Sequence, residues 1–202
     1  MRIADCGPAR RSLPEGGLRI ERRTGACVGA VLLAALFALL VDGCGSGLPE
    51  DVAKLAYVNR AERFAMDAPA GWTVRESGGA ADVLVMAPAA DGQVRPNVNV
   101  VVHKGAAPLL SLHQEVTAAR ESLNRMPGFR LIAEGPTTTA DGRAAWTATF
   151  VQEALGRPVE QRQLYVVAGQ KTYLVTATAS PETFAYEEPN FDVCFRSFRA
   201  AW

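Results

Sequence analysis

Residues 57–202 predict an α+β domain, an α/β/α sandwich in which helices pack on a mostly antiparallel sheet. Three observations predict it. Several short runs alternate apolar and polar residues, the period of a half-buried strand. Between residues 109 and 126 apolar residues instead recur every three or four positions, the period of a helix. These runs come in the order strands, helix, strands, helix with hairpin signals inside each strand set, a pattern that belongs to an antiparallel sheet with packed helices.

The first strand set opens with Phe64 and Met66 alternating with Ala65 and Asp67. The turn-rich segment Ala68-Pro69-Ala70-Gly71 then reads as the bend of an opening hairpin, with Trp72 to Arg75 as its second arm. Gly78-Gly79 breaks it, residues 83–86 form a third short strand, and Asp91-Gly92 marks a loop. Residues 97–103 give the clearest strand: Val98, Val100 and Val102 fall on one face, and Asn97, Asn99, Val101 and His103 on the other.

In the helix that follows, Leu109, Leu112, Val116, Ala119, Leu123 and Met126 form one stripe. Ser111 and Gln114 have the spacing of a capping box, and Pro127-Gly128 stops the helix. A second strand set starts near Phe129. Asp141-Gly142 is expected to make a tight type I′ hairpin, because that turn needs two left-handed residues. After it Ala144, Trp146, Ala148 and Phe150 alternate with Arg143, Ala145, Thr147 and Thr149, and Gly156-Arg157-Pro158 marks a further reversal. Gly169-Gln170 suits a type II′ turn and sets Val166 opposite Tyr173, so that Leu164, Val166, Tyr173, Val175 and Ala177 share an apolar face. Tyr165, Thr172, Leu174 and Thr176 make the other face half polar, and partial cover is expected there. Ser180-Pro181-Glu182 starts the last helix. Pro189 is expected to split it, leaving a second piece that carries Phe191, Cys194, Phe195 and Phe198.

Ahead of this domain lies the segment that sets the protein's address. Arg19, Arg22 and Arg23 precede sixteen uncharged residues, 26–41, and a short tail ends at Cys44. This is the layout of an export signal. The apolar run is short for a membrane span, which takes about 20 residues. The tail Leu40-Val41-Asp42-Gly43-Cys44 resembles the bacterial lipobox, in which the cysteine is lipidated and becomes the new N-terminus; Val41, Gly43 and Cys44 fit and Asp42 departs from it. The organisation expected is therefore an extension and signal over residues 1–43, a lipidated tether over 44–56 and one domain over 57–202. An uncleaved signal anchor is the alternative, and either outcome puts the domain outside the cytoplasm, in the bacterial cell envelope.

From Cys44 onward 159 residues suffice for one core. Fifteen Lys and Arg stand against seventeen Asp and Glu in that stretch, a net charge of −2 with the signs interspersed. Nucleic acid is excluded as a partner because its phosphates require a concentrated basic face, and no basic patch is present to hold anionic lipid. If the signal is cut, Cys6 and Cys27 leave with it, Cys44 carries lipid and Cys194 alone remains as a thiol. Its apolar neighbours make Cys194 a buried, inert core residue.

Short words along residues 61–198 carry a resemblance: Asp-Ala-Pro-x-Gly-Trp at Asp67 to Trp72, Asn-Val-x-Val at Asn97 to Val100, Gly-x-Ala-Ala at Gly142 to Ala145, Tyr-x-Val-Thr at Tyr173 to Thr176, and a closing Ser197-Phe198. With one helix between the strand sets, this resembles the PsbP/DcrB-like domains of bacterial envelope lipoproteins. The resemblance implies the α/β/α sandwich and an accessory or chaperone-like binding role, without catalytic residues to transfer.

His103 and His113 are the only histidines, and no Cys or paired carboxylate is spaced to complete a zinc site with them, so neither metal nor cofactor is expected. Trp72, Trp146 and Tyr173 are candidates to line a groove, with Asn97 and Asn99 supplying hydrogen bonds; as core aromatics they would instead only pack. The function expected is that of a non-catalytic, lipid-anchored envelope protein that binds a protein partner or a lipid-like ligand through a sheet face left partly uncovered by helices. An envelope hydrolase using His103 or His113 and a purely structural spacer are the alternatives.

Overall fold

A computed structural model describes residues 56–76, 81–88, 94–104 and 111–200. The signal-like segment, Cys44, the tether through residue 55, Gly78-Gly79, Asp91-Gly92 and Leu109 lie outside the described residues. Among the described residues ten strands and two helices follow in order. The first five strands are β1 (Ala56–Asn59), β2 (Phe64–Asp67), β3 (Thr73–Glu76), β4 (Val83–Met86) and β5 (Asn97–Lys104). Helix α1 (Leu112–Leu123) precedes β6 (Arg130–Thr138), β7 (Ala144–Ala154), β8 (Arg157–Ala168) and β9 (Lys171–Ala179), and α2 (Pro181–Ser197) leads into β10 (Arg199–Ala200).

Seven strands form one antiparallel sheet in the order β3-β4-β5-β9-β8-β7-β6, and β1-β2-β10 form a small second one. Helix α1 packs on β7 and β8 and α2 on β2, β8 and β9. They cover opposite faces: Ala119 of α1 meets Tyr165 and Leu174, while Phe184, Phe191 and Cys194 of α2 join Val98, Val100, Val166, Tyr173 and Val175 in the main core. The expected α+β sandwich is therefore present. Cover on both faces also explains why residues 173–179 of β9 are buried without alternation.

Local signals hold at several places. Ser111 and Gln114 form the reciprocal capping box at the start of α1. The turn at Gly169 sets Val166 opposite Tyr173, and Gly169 has φ +59 as its turn requires.

Three expectations are corrected. The segment Ala68 to Gly71 does not close a hairpin, because β2 pairs with β1 and β10 whereas β3 pairs with β4. It carries the chain between sheets: Phe64, Ala65 and Met66 are all buried, which one face of an open hairpin cannot provide. The Asp141-Gly142 hairpin is wider than a type I′ turn. Only Gly142 of the pair has positive φ, and Thr139 bonds Arg143 across a five-residue loop. The two-residue turn with both positions left-handed sits instead at Leu155-Gly156, φ +52 and +72, where leucine gives no sequence signal for it. Finally, α2 runs unbroken through Pro189. The carbonyl that proline leaves without an N–H belongs to Ala185, an exposed residue whose backbone can turn to water.

Candidate functional site

Helix α2 lies over the middle of its sheet face and stops short of the outer strands. Beside it the sheet leaves an open groove of about 440 Å³. Ala133, Gly135 and Thr137 of β6 and Thr147 and Thr149 of β7 form its outer floor, and Arg162 and Leu164 of β8 its inner floor. Strand alternation places all of these on one face, since Gly135 pairs with Thr147 and Thr147 with Leu164. Glu188, Asp192, Phe195 and Arg196 of α2 form the wall, successive turns bringing positions three and four apart to one side.

An ion-pair network organises that wall. Arg162 Nη2 donates to Asp192 Oδ1 at 2.7 Å and Arg162 Nη1 lies 3.4 Å from Glu188 Oε1, while Arg196 Nη2 reaches Asp192 Oδ2 at 2.7 Å. The Arg162 guanidinium stacks 4.4 Å from the centroid of the Phe195 ring, so that the aromatic is covered and not offered to a ligand. Two buried polar atoms in the groove lack a partner, Thr147 Oγ1 and Arg162 Nε. Such atoms are costly in a closed protein.

The five residues expected to line a groove are divided between the two faces. Trp72 packs edge-on against Phe191 at 6.0 Å, and Tyr173 is fully buried between Phe64 and Phe198, its hydroxyl donating to the Glu62 carbonyl at 2.8 Å. Both lie on the α2 side, in the main core. Asn97, Asn99 and Trp146 lie on the α1 side. Asn97 Nδ2 donates to the Arg95 carbonyl at 3.0 Å, Asn99 is wholly buried, and the Arg120 guanidinium stacks on Trp146 at 4.9 Å while gripping Glu134 with two hydrogen bonds. The structure thus brings Asn97, Asn99 and Trp146 to one face and does not join them to Trp72 and Tyr173. Sequence reasoning missed the groove. Its threonines alternate along β6 and β7 and were visible, but that α2 would stop short of them was not.

His103 is half-buried at the end of β5 on the α1 side, where burial pulls its pKa below the ordinary value, opposed by the charges of Glu115 and Asp82. His113 is exposed in the first turn of α1. Among the described residues no hydrogen bond joins either imidazole to another side chain, and no group of three or more His, Cys, Asp or Glu could hold a metal ion.

No protein-family model matches the chain, and no curated protein does. Solved structures do share its architecture. LpqN of Mycobacterium tuberculosis, described as involved in cell envelope biogenesis, is 13% identical with a TM-score of 0.55 over 74% of this chain and 91% of its own. The cyanobacterial PsbP of Synechocystis is also 13% identical, with a TM-score of 0.54 over 80% of this chain and 99% of its own.

The fold is PsbP-like.

At such identity the likeness is one of fold alone. Within the PsbP-like frame the groove between α2 and the β6–β7 edge is an open concavity with unpartnered polar atoms among its lining residues.

Proposed function

We propose that the protein is a non-catalytic accessory protein of the bacterial cell envelope, anchored by lipid on Cys44, and that it binds a protein partner in the groove beside α2. The observation that carries the reading is the groove itself, an open concavity on a sheet face the helix leaves uncovered. Its hydroxyls, its ion-pair wall and its covered aromatic favour a polar protein segment over a lipid-like ligand, which would need a continuous apolar lining. The export signal and Cys44 support the address, and LpqN, with the same fold, is described as an envelope-biogenesis protein.

The test is crosslinking capture from solubilised envelope with wild type, Cys44→Ser, Ala133→Arg and Thr137→Arg. Both groove substitutions are at exposed positions and should change stability by less than about 0.5 kcal/mol. Wild type is expected to fractionate with membranes, carry acyl mass on Cys44 and capture a defined partner; Cys44→Ser loses the first two. The groove variants should lose at least about 90% of that partner, a change of roughly 1.4 kcal/mol. Capture at wild-type yield by both groove variants ends the groove assignment, and a soluble wild type, or one bound at full uncut length, ends the lipoprotein reading.

A further inference from the structure

The face opposite the groove carries a row of buried polar side chains. Asn99 of β5 stands directly opposite Thr176 of β9, which stands opposite Gln163 of β8. All three are 0% exposed. Neither amide atom of Asn99 has a hydrogen-bond partner, nor does Thr176 Oγ1 or Gln163 Nε2; Gln163 Oε1 accepts from the Tyr165 hydroxyl.

The neighbouring row shows what the same side-chain types do when they can meet. Gln152 Nε2 donates to Gln161 Oε1 at 3.0 Å, and Gln161 Nε2 to Thr178 Oγ1 at 3.0 Å. The row on the other side, Val101, Leu174 and Tyr165, is mostly apolar, so aliphatic residues are compatible with this depth in the sheet. Four orphan polar atoms, beside a row whose amides are linked although Gln152 Oε1 is also free, are costly, and such groups in native proteins are commonly served by something bound.

We infer that Asn99, Thr176 and Gln163 form an internal binding site for a small neutral group that both donates and accepts hydrogen bonds, either ordered water or the hydroxyl or amide of a small organic ligand. Amide N–H groups of Asn99 and Gln163 donate, Asn99 Oδ1 accepts, and the Thr176 hydroxyl does either. The row contains no ionisable side chain to hold an ion. Leu84 opposite Asn99 and Ala148 opposite Gln163 bound it with apolar groups, which limits the guest to a compact one. The site lies on the other side of the sheet from the groove and does not depend on it.

The test uses the full chain in detergent micelles with isotope-labelled Asn and Gln side chains. Magnetisation transfer from long-lived water to the Asn99 and Gln163 amide protons is expected, and Thr176→Val should lower the urea midpoint, as the control Thr178→Val does by taking the acceptor from Gln161. Acetamide is then titrated in: loss of the water signal with shifts confined to Asn99 and Gln163 assigns the site to an organic amide, and an unchanged spectrum assigns it to water. No water transfer, no acetamide response and a raised midpoint for Thr176→Val overturn the proposal, since a truly unpartnered hydroxyl gains from becoming a methyl. If Thr176→Val does not fold, the wild-type spectra decide, and Thr176→Ser, which keeps the hydroxyl, should retain the water transfer.

Discussion

Cys194 shows what burial alone does to a reactive group. It is enclosed by the main core, and desolvation, with a smaller contribution from the charge of Asp67, pushes its pKa up to about 12. The neutral thiol is the form the fold accepts, so this residue contributes stability that is complete below the ordinary value of 9.0 and is lost as pH rises towards about 12. Near neutral pH a thiol reagent should label the native domain at Cys194 more than about 100-fold more slowly than the unfolded chain, because the thiolate is the nucleophile. Labelling at equal rates, followed by mass, would count against the buried assignment.

Gly128 matters at the scale of the element, in the connection from α1 to β6. Its φ is +67, and a Cβ there would meet Glu153 N and Cβ at 3.2 Å, where Glu153 N–H donates to the Pro127 carbonyl at 2.8 Å. The loop is thereby pinned to β7, and α1 is delivered onto Phe150 through Leu123, Met126 and Phe129. Gly128→Ala pays a left-handed backbone penalty of about 1–2 kcal/mol and in addition pushes on β7. Gly142→Ala, at φ +76 with nothing within 4 Å, pays only the first. Urea midpoints should therefore fall for both and further for Gly128→Ala. The edge strand β6 is shaped as well: a bulge between Leu131 and Ala133 and Pro136 leave only a short regular stretch along its outer rim, which disfavours sheet extension by another chain.

For the whole molecule the question is how the small sheet is held to the large one. Lys104 and Lys171 stand directly opposite each other on β5 and β9, an arrangement that repels. Glu62, in the loop between β1 and β2, lies between them at 2.7 and 2.9 Å, and Lys171 also donates to the Glu62 carbonyl at 3.1 Å. Hydrogen bonds from the two lysines lower the Glu62 pKa below its ordinary 4.5. A carboxyl whose pKa falls on folding contributes stability above that ordinary value and loses it as pH drops through the lowered one. Glu62→Gln should cost about 1 kcal/mol at neutral pH, more at low salt, and should flatten the acid limb of the stability profile below about pH 4.5. Urea titrations across that range give the measurement; an unchanged acid limb would mean that other carboxylates set it.

Much of what depends on near neighbours along the chain was legible in the sequence, the turns at Asp141-Gly142 and Leu155-Gly156 excepted. The strand and helix periods, the Ser111–Gln114 cap, the Gly169 turn with its Val166–Tyr173 register and the buried setting of Cys194 follow from steric and hydrogen-bonding rules acting over a few residues. Tertiary structure alone decided the rest, because it involves residues far apart in sequence. Nothing local tells β2 to pair with β10, some 135 residues later, in place of β3. Nor does it tell α2 to continue through Pro189, which packing of Phe184, Phe191 and Phe195 on the sheet makes worthwhile. The candidate site divides in the same way. Asn99 was readable as a polar residue on a strand, but its orphaned amide depends on Thr176 and Gln163 arriving beside it. The groove exists only because α2 ends its coverage before β6 and β7. Short-range chemistry chose the elements, and the burial of their faces against distant partners chose where a ligand can enter.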